Sequence, residues 1–324
     1  MFRKQYDDDI KPISQPKHIK KVWQTIESGH DKYLKLALEE DPLHLDGLAA
    51  LGTLKRSAKS QVDSTHLVNR FMKAIDSFQS DADSYRTFFD PDSMVEYGSS
   101  PGAFKPALNK GCPIIRNTLR SQSEELLEWR KKYNLTQSRA LLDMFTNLVD
   151  FHTDYIKATK PGGFSKFDRL SDFDFGAVED DEECRIEGVI GMGIKSTILH
   201  HLTPMNFPPR DRHSLLGFYL LSDCDAFGLP SESSEFVMYD PEKKLKDGTC
   251  YSAHNFWYPY ALFTLYSLRL YRRLKTALTA RGVELDDHYR FVYTQTFLHQ
   301  VCQFEKEKIS TFVAHDVLHR FTEV

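Results

Sequence analysis

The sequence predicts a mainly α protein, a multi-helix, bundle-like fold, and three observations lead there. Apolar residues recur at helical spacing along most of the 324 residues. Runs of strict polar and apolar alternation, the mark of half-buried strands, are few. Apolar residues make up 41% of the chain and aromatic residues 13%, enough to fill a packed interior rather than leave a solvated chain. The formal net charge is −4. Bulk electrostatics therefore does not favour nucleic acid, and any surface for it has to be local. No stretch approaches twenty apolar residues, so no membrane span or signal segment is expected. The five cysteines, Cys112, Cys184, Cys224, Cys250 and Cys302, are odd in number and far apart, which fits reduced thiols and a cytoplasmic location. No Cys-x-x-Cys pair is present, which leaves out a zinc knuckle and an iron–sulfur loop.

In chain order, residues up to about 16 read as a loose arm. Helical patterns follow over 17–28, with Ile19, Val22, Trp23 and Ile26 on one face, and over 31–40. The stretch 41–52 resembles half of a tetratricopeptide repeat, but no second copy stands at a fixed period. Helical patterns cover 64–78 and 83–89. Residues 90–113 are rich in Pro, Gly, Asp and Ser and are expected to form a long connection. Two long helices are expected over 114–133 and 136–157. Pro161-Gly162-Gly163 then marks a soft boundary between an N-terminal helical region, 1–163, and a C-terminal one, 164–324. Residues 164–183 are acidic and aromatic, an unfavourable neighbour for a phosphate.

The most informative stretch is 186–221. Gly191-Met192-Gly193 is too rich in glycine for a helix interior and marks a tight turn into a helix N-terminus, where free N–H groups and the helix dipole favour an anion. Lys195 stands beside that turn. Pro204 stops the helix that follows. Asp211 precedes the apolar run 215–221 and is placed to cap it. A phosphate-binding loop of the nucleotide-hydrolase kind needs Gly-x-x-x-x-Gly-Lys-Ser/Thr. Gly188 and Gly193 have that separation, but Ile194 displaces Lys195, and an acidic run stands where the preceding strand belongs.

The run Ile186-x-x-Val189-Ile190-Gly191-Met192-Gly193-Ile194-Lys195-Ser196 resembles, position by position, the hairpin of the helix-hairpin-helix DNA glycosylase superfamily. The departure is Ile190, where that family usually has proline. Asp211-Arg212-His213 follows at an interval similar to that of the family's aspartate. The resemblance covers about a tenth of the chain. It implies a helix-hairpin-helix in the C-terminal half, with Gly191, Gly193 and Ser196 at a DNA phosphate and a monovalent cation bridging there. It further implies Lys195 as the amine that forms a Schiff base with the sugar, and Asp211 as the carboxylate that stabilises the cationic transition state. The same residues also read as an ordinary turn, a solvated lysine and an N-cap.

Further on, a short strand is expected at 235–239. His254, Asn255, Trp257 and Tyr258 then lead into a helix over 259–281. They are candidates to line a pocket for a flat ring, or simply core, with Asn255 as the cap. Arg269, Arg272 and Arg273 form a basic strip on that helix, the best local candidate for backbone contacts to nucleic acid. A last helical region is expected over 286–321 with a break. His315 and His319 have a metal-compatible spacing there but lack a third ligand in the sequence. No metal is assigned. Three function classes follow: a DNA-binding, possible DNA-repair protein with glycosylase or lyase chemistry; a non-catalytic helical protein-interaction module; and a nucleotide binder of the phosphate-loop kind.

Overall fold

A computed structural model describes residues 2–39, 65–123, 126–159, 162–179, 182–244 and 250–310. The stretch 41–52 and the pair His315 and His319 lie outside the described residues. The chain is mainly helical, as expected. It begins with α1 (Phe2–Ile13), where the sequence suggests a loose arm, and α2 (Pro16–Glu39), which runs unbroken through Gly29. The tandem patterns over 64–89 form one helix, α3 (Thr65–Phe88).

The expected long connection is instead three short helices, α4 (Pro91–Ser99), α5 (Pro101–Gly111) and α6 (Pro113–Arg120). The prolines that suggest a loop occupy helix first turns, where a missing N–H costs nothing. Asp90 caps α4 by accepting from the N–H groups of Asp92 and Ser93 at 3.1 and 3.4 Å. The single helix expected over 114–133 is divided into α6 and α7 (Leu127–Leu135). The Arg130 guanidinium donates to the carbonyls of Ser121 and Ser123 and holds the chain between them. Helix α8 (Ser138–Ala158) buries Leu141, Met144, Phe145, Leu148 and Tyr155 at the expected spacing.

The C-terminal half carries a short α9 (Gly176–Glu179), then α10 (Met192–Leu202) and α11 (Arg212–Leu221). A β-hairpin follows, β1 (Val237–Lys244) paired antiparallel with β2 (Cys250–His254), Val237 opposite His254. Helices α12 (Tyr260–Thr279), α13 (Arg290–Phe304) and α14 (Lys306–Ser310) complete the described chain. Gly282, at φ 79°, turns the chain after α12. The cap of α12 is Pro259 rather than Asn255.

Helix α11 is the centre of the packing. Every residue from Ser214 to Leu221 is buried, and α2, α13 and the hairpin lie against it. Core residues from both sides of position 163, Phe71, Phe145, Phe207 and Phe297 among them, belong to one hydrophobic cluster. No described helix is long and apolar enough to cross a membrane.

Two glycines permit the close approaches at α11. A Cβ on Gly29 would overlap the carbonyl oxygen of Leu221, and one on Gly217 would lie 2.9 Å from the Leu298 Cβ. Gly98, inside α4, has nothing within 4 Å of that position. Alanine is the better helix former at all three by up to about 1 kcal/mol. Gly98→Ala is therefore expected to raise the unfolding free energy by up to about 1 kcal/mol, while Gly29→Ala lowers it by about 1–3 kcal/mol through overpacking. Denaturant melts of both variants check the opposite signs.

Candidate metal centre

The turn before α10 is closed by the Ile186 carbonyl, which accepts from the N–H groups of Val189 and Ile190, both at 2.9 Å. Gly188 adopts the left-handed region at φ 68°. The element ahead of this turn is one 3₁₀ turn, Glu182–Cys184. Gly191 is the N-cap of α10 and offers no side-chain cap. Gly193 lies close to the Arg210 backbone, and the Ser196 hydroxyl accepts from the Arg210 N–H at 2.9 Å. The backbone thus brings the turn and the Asp211 segment side by side.

Their side chains go to different partners. Lys195 is only 3% exposed, and its amine donates to the Val178 carbonyl. Burial pushes its pKa down to about 8, helped by the Arg210 and Arg185 charges and opposed by Cys184 and Glu179. Asp211 caps α11, accepting from the Ser214 N–H at 2.6 Å on Oδ1 and from the Gln295 side-chain amide at 2.7 Å on Oδ2. The His299 Nε2 stands 3.1 Å from Oδ2 and 3.4 Å from Oδ1.

His213 lies in the first turn of α11, so its ring is presented beside the cap it follows. Its centroid is 5.2 Å from that of His299, edge to face. One ligand atom from each of Asp211, His213 and His299 lies within 4.8 Å of the other two. Two donors bonded to one metal at about 2.1 Å stand about 3.0–3.4 Å apart for octahedral or tetrahedral angles, and the His299–Asp211 distances fall in that range. Two imidazoles and a carboxylate suit zinc, iron or nickel rather than calcium or magnesium. Outer contacts hold the set. Gln295 orients the carboxylate, and the Cys302 thiol donates to the His213 carbonyl at 3.3 Å.

Charge accompanies the geometry. Burial works to raise the Asp211 pKa, but the His299 and His213 imidazoles and the Ser214 N–H hold the carboxyl well below the usual range. Burial and the Asp211 charge push the Cys302 thiol up. His254, at the end of β2, has a buried Nδ1 without a hydrogen-bond partner. Burial, with the nearby Arg212 and Arg210 charges, keeps its imidazole neutral well below the ordinary value.

The other residues singled out by the sequence are dispersed. Asn255 donates to the Glu235 carbonyl at 2.9 Å and accepts from the Trp257 N–H, while the Tyr258 hydroxyl donates to the buried Glu235 carboxylate at 2.7 Å. These contacts lock the hairpin onto α12. Arg269 donates to Asp168 at 3.0 Å, Arg272 to the carbonyls of Ser165 and Phe167, and Arg273 to Asp31 at 3.0 Å. The acidic stretch that opposes a phosphate site in the sequence thus supplies Asp168, a partner for two of these arginines. The sequence assigns no role to His213 or His299. They are donors from two helices, and His299 stands 88 positions after Asp211, too far for any spacing rule.

Lys195 also gives a pH dependence with a definite sign. An unfolded lysine titrates near 10.4, above the folded value of about 8. Below pH 8 both states hold the proton and the burial penalty is complete. Above it the unfolded chain holds a proton that the fold has released, so stability rises with pH. The stability difference between wild type and Lys195→Met is expected to shift in favour of wild type across about pH 8–9.5 and to be flat below pH 7. A flat difference throughout would mean that the buried amine titrates normally. Comparison with family models, with curated proteins and with solved structures finds no match for the chain.

Proposed function

We propose that the chain is a helical interaction protein whose docking point is a transition-metal centre made by Asp211, His213 and His299. The observation that carries this reading is the convergence of one carboxylate and two imidazoles at the junction of α11 and α13. Three protein donors leave one position of a tetrahedral shell to water or to a donor group from a binding partner. The site is half-exposed, with side-chain exposures of 29% for Asp211 and 34% for His299, so that position is within reach from outside. Base-excision chemistry has less support. The Lys195 amine is buried and occupied by the Val178 carbonyl.

The test is a titration of the metal-stripped protein with zinc and with cobalt(II), read by calorimetry and by the cobalt visible spectrum. One equivalent is expected to bind, with a raised melting temperature; at 100 times the dissociation constant the gain is about 2.7 kcal/mol. His299→Gln and His213→Gln are expected to weaken binding by at least about tenfold, whereas His315→Ala with His319→Ala leaves it unchanged. Absence of saturable binding, or its loss only in the His315 and His319 variant, refutes the site.

A second reading, DNA binding through the glycine turn, has one observation in its favour. Gly191 leaves the N-terminus of α10 without a side-chain cap, and nothing stands within 4 Å of where its Cβ would be. A phosphate could approach the backbone there. Salt-sensitive duplex binding that is lost in Gly191→Val, with the protein still folded, is the expected result on this reading. No binding at low salt, where non-specific affinity is greatest, removes it.

A further inference from the structure

A second feature lies away from the metal centre and rests on different residues. A cavity of about 1070 Å³ opens between α2, α12 and the 3₁₀ turn Leu170–Asp172. Its apolar lining comprises Ile19, Trp23, Leu170 and Leu265. Its lining is also basic: Lys20, Arg169, Arg269, Arg272 and Arg273 contribute five cations, in excess of Glu27 and Asp168 in the lining and Asp31 beside Arg273. The chain as a whole carries −4, so this concentration runs against the overall composition.

The carboxylates present do not discharge the lining. Asp168 serves two guanidinium groups through one oxygen, Arg269 at 3.0 Å and Arg272 at 3.4 Å. It is 63% exposed, while Arg269 is only 19% exposed, so the cation is less solvated than the anion that balances it. Arg269, Arg272 and Arg273 stand at i, i+3 and i+4 on one helix face, where like charges repel. Burial lowers the Arg272 pKa, a sign that its charge has lost water. Arg269 also lies over the Trp23 ring at 5.8 Å, which sets a cation against the apolar lining. Each guanidinium has five N–H groups in a planar fork, and the contacts above use only part of them. An oxyanion entering between Arg269, Arg272 and Lys20 would relieve the repulsion. An apolar body attached to it would displace water from the partly exposed Trp23 and Leu170.

We propose that this cavity binds an amphipathic anion: an apolar chain or ring that carries a phosphate or carboxylate head, with the head at Arg269, Arg272 and Lys20 and the body on Trp23 and Leu170. The cavity lies at the upper end of the volume range of small-molecule sites, and apolar walls with a few convergent polar groups are the usual make-up of such a site. The proposal is independent of the metal centre.

The test is calorimetric titration of the full chain with four probes below their aggregation concentrations: dodecyl phosphate, dodecanoate, dodecanol and inorganic phosphate. Saturable binding of one equivalent of dodecyl phosphate or dodecanoate is expected. Dodecanol and inorganic phosphate are expected to bind at least about tenfold more weakly, since each lacks one half of the recognition. The stronger of the two anionic probes identifies the head group. Arg269→Gln with Arg272→Gln is expected to weaken binding by about tenfold or more. Lys20→Glu gives the same direction from an exposed side chain, so a folding defect in the arginine variant does not leave the question open. Asp211→Asn is expected to leave binding unchanged. Equal affinity for dodecanol overturns the anionic head, and equal affinity for inorganic phosphate overturns the apolar body. Absence of saturable binding by both anionic probes overturns the site, and duplex DNA binding lost in Lys20→Glu alongside it would assign these arginines to nucleic acid instead.

Discussion

Helix α11 is buried from Ser214 onward, and the N–H groups of its first turn need acceptors like those of any helix start. Asp211 supplies one, and that single cap determines what surrounds it. A charge held half-buried needs donors around it, and Gln295 and His299, one turn apart on α13, provide them. His213 follows from the same cap, since a residue two positions after an N-cap projects beside it. A requirement of helix termination thereby concentrates one carboxylate and two imidazoles at one point. The resulting donor set is the candidate metal centre.

The sequence shows this unevenly. Asp211 as a cap, Pro204 as a stop and Gly282 as the end of α12 are legible, because each acts through its own backbone neighbours. The helical face of α8 is legible as well, from its periodicity. The stretch 90–113 misleads, because Pro, Asp and Ser are as much the signals of helix starts as of loops. Three successive starts look like one long connection. The two patterns over 17–28 and 31–40 mislead in the other direction. They form one helix, α2, which continues through Gly29 and uses its missing side chain to approach Leu221. The candidate metal set was the least legible part. His299 belongs to it only because α13 packs on α11, and that packing is a property of the whole core.

The charged residues have a similar history. A basic strip on α12 and an acidic run before α10 look like opposing signals in the sequence, one favouring a phosphate and one excluding it. In the fold Asp168 meets Arg269 and Arg272, so the two features partly cancel. What remains is a surplus of positive charge around an apolar hollow, a more selective arrangement than a basic stripe. Lys195 is the contrasting case. Its amine donates to the Val178 carbonyl inside the core, and almost none of the residue is left to water.

The packing of α2 on α11 and α12 has a consequence for how the molecule assembles. Helix α2 ends at Glu39 and packs on α3, but the larger part of its partners, α11 and α12, begins only at Arg212 and Tyr260. During synthesis those contacts must wait for well over a hundred further residues. Local helix formation is fast, but closing contacts of such sequence separation is slow and leaves hydrophobic surface exposed meanwhile. Completion of this core therefore depends on contacts of long sequence separation, which close more slowly than the local helices form.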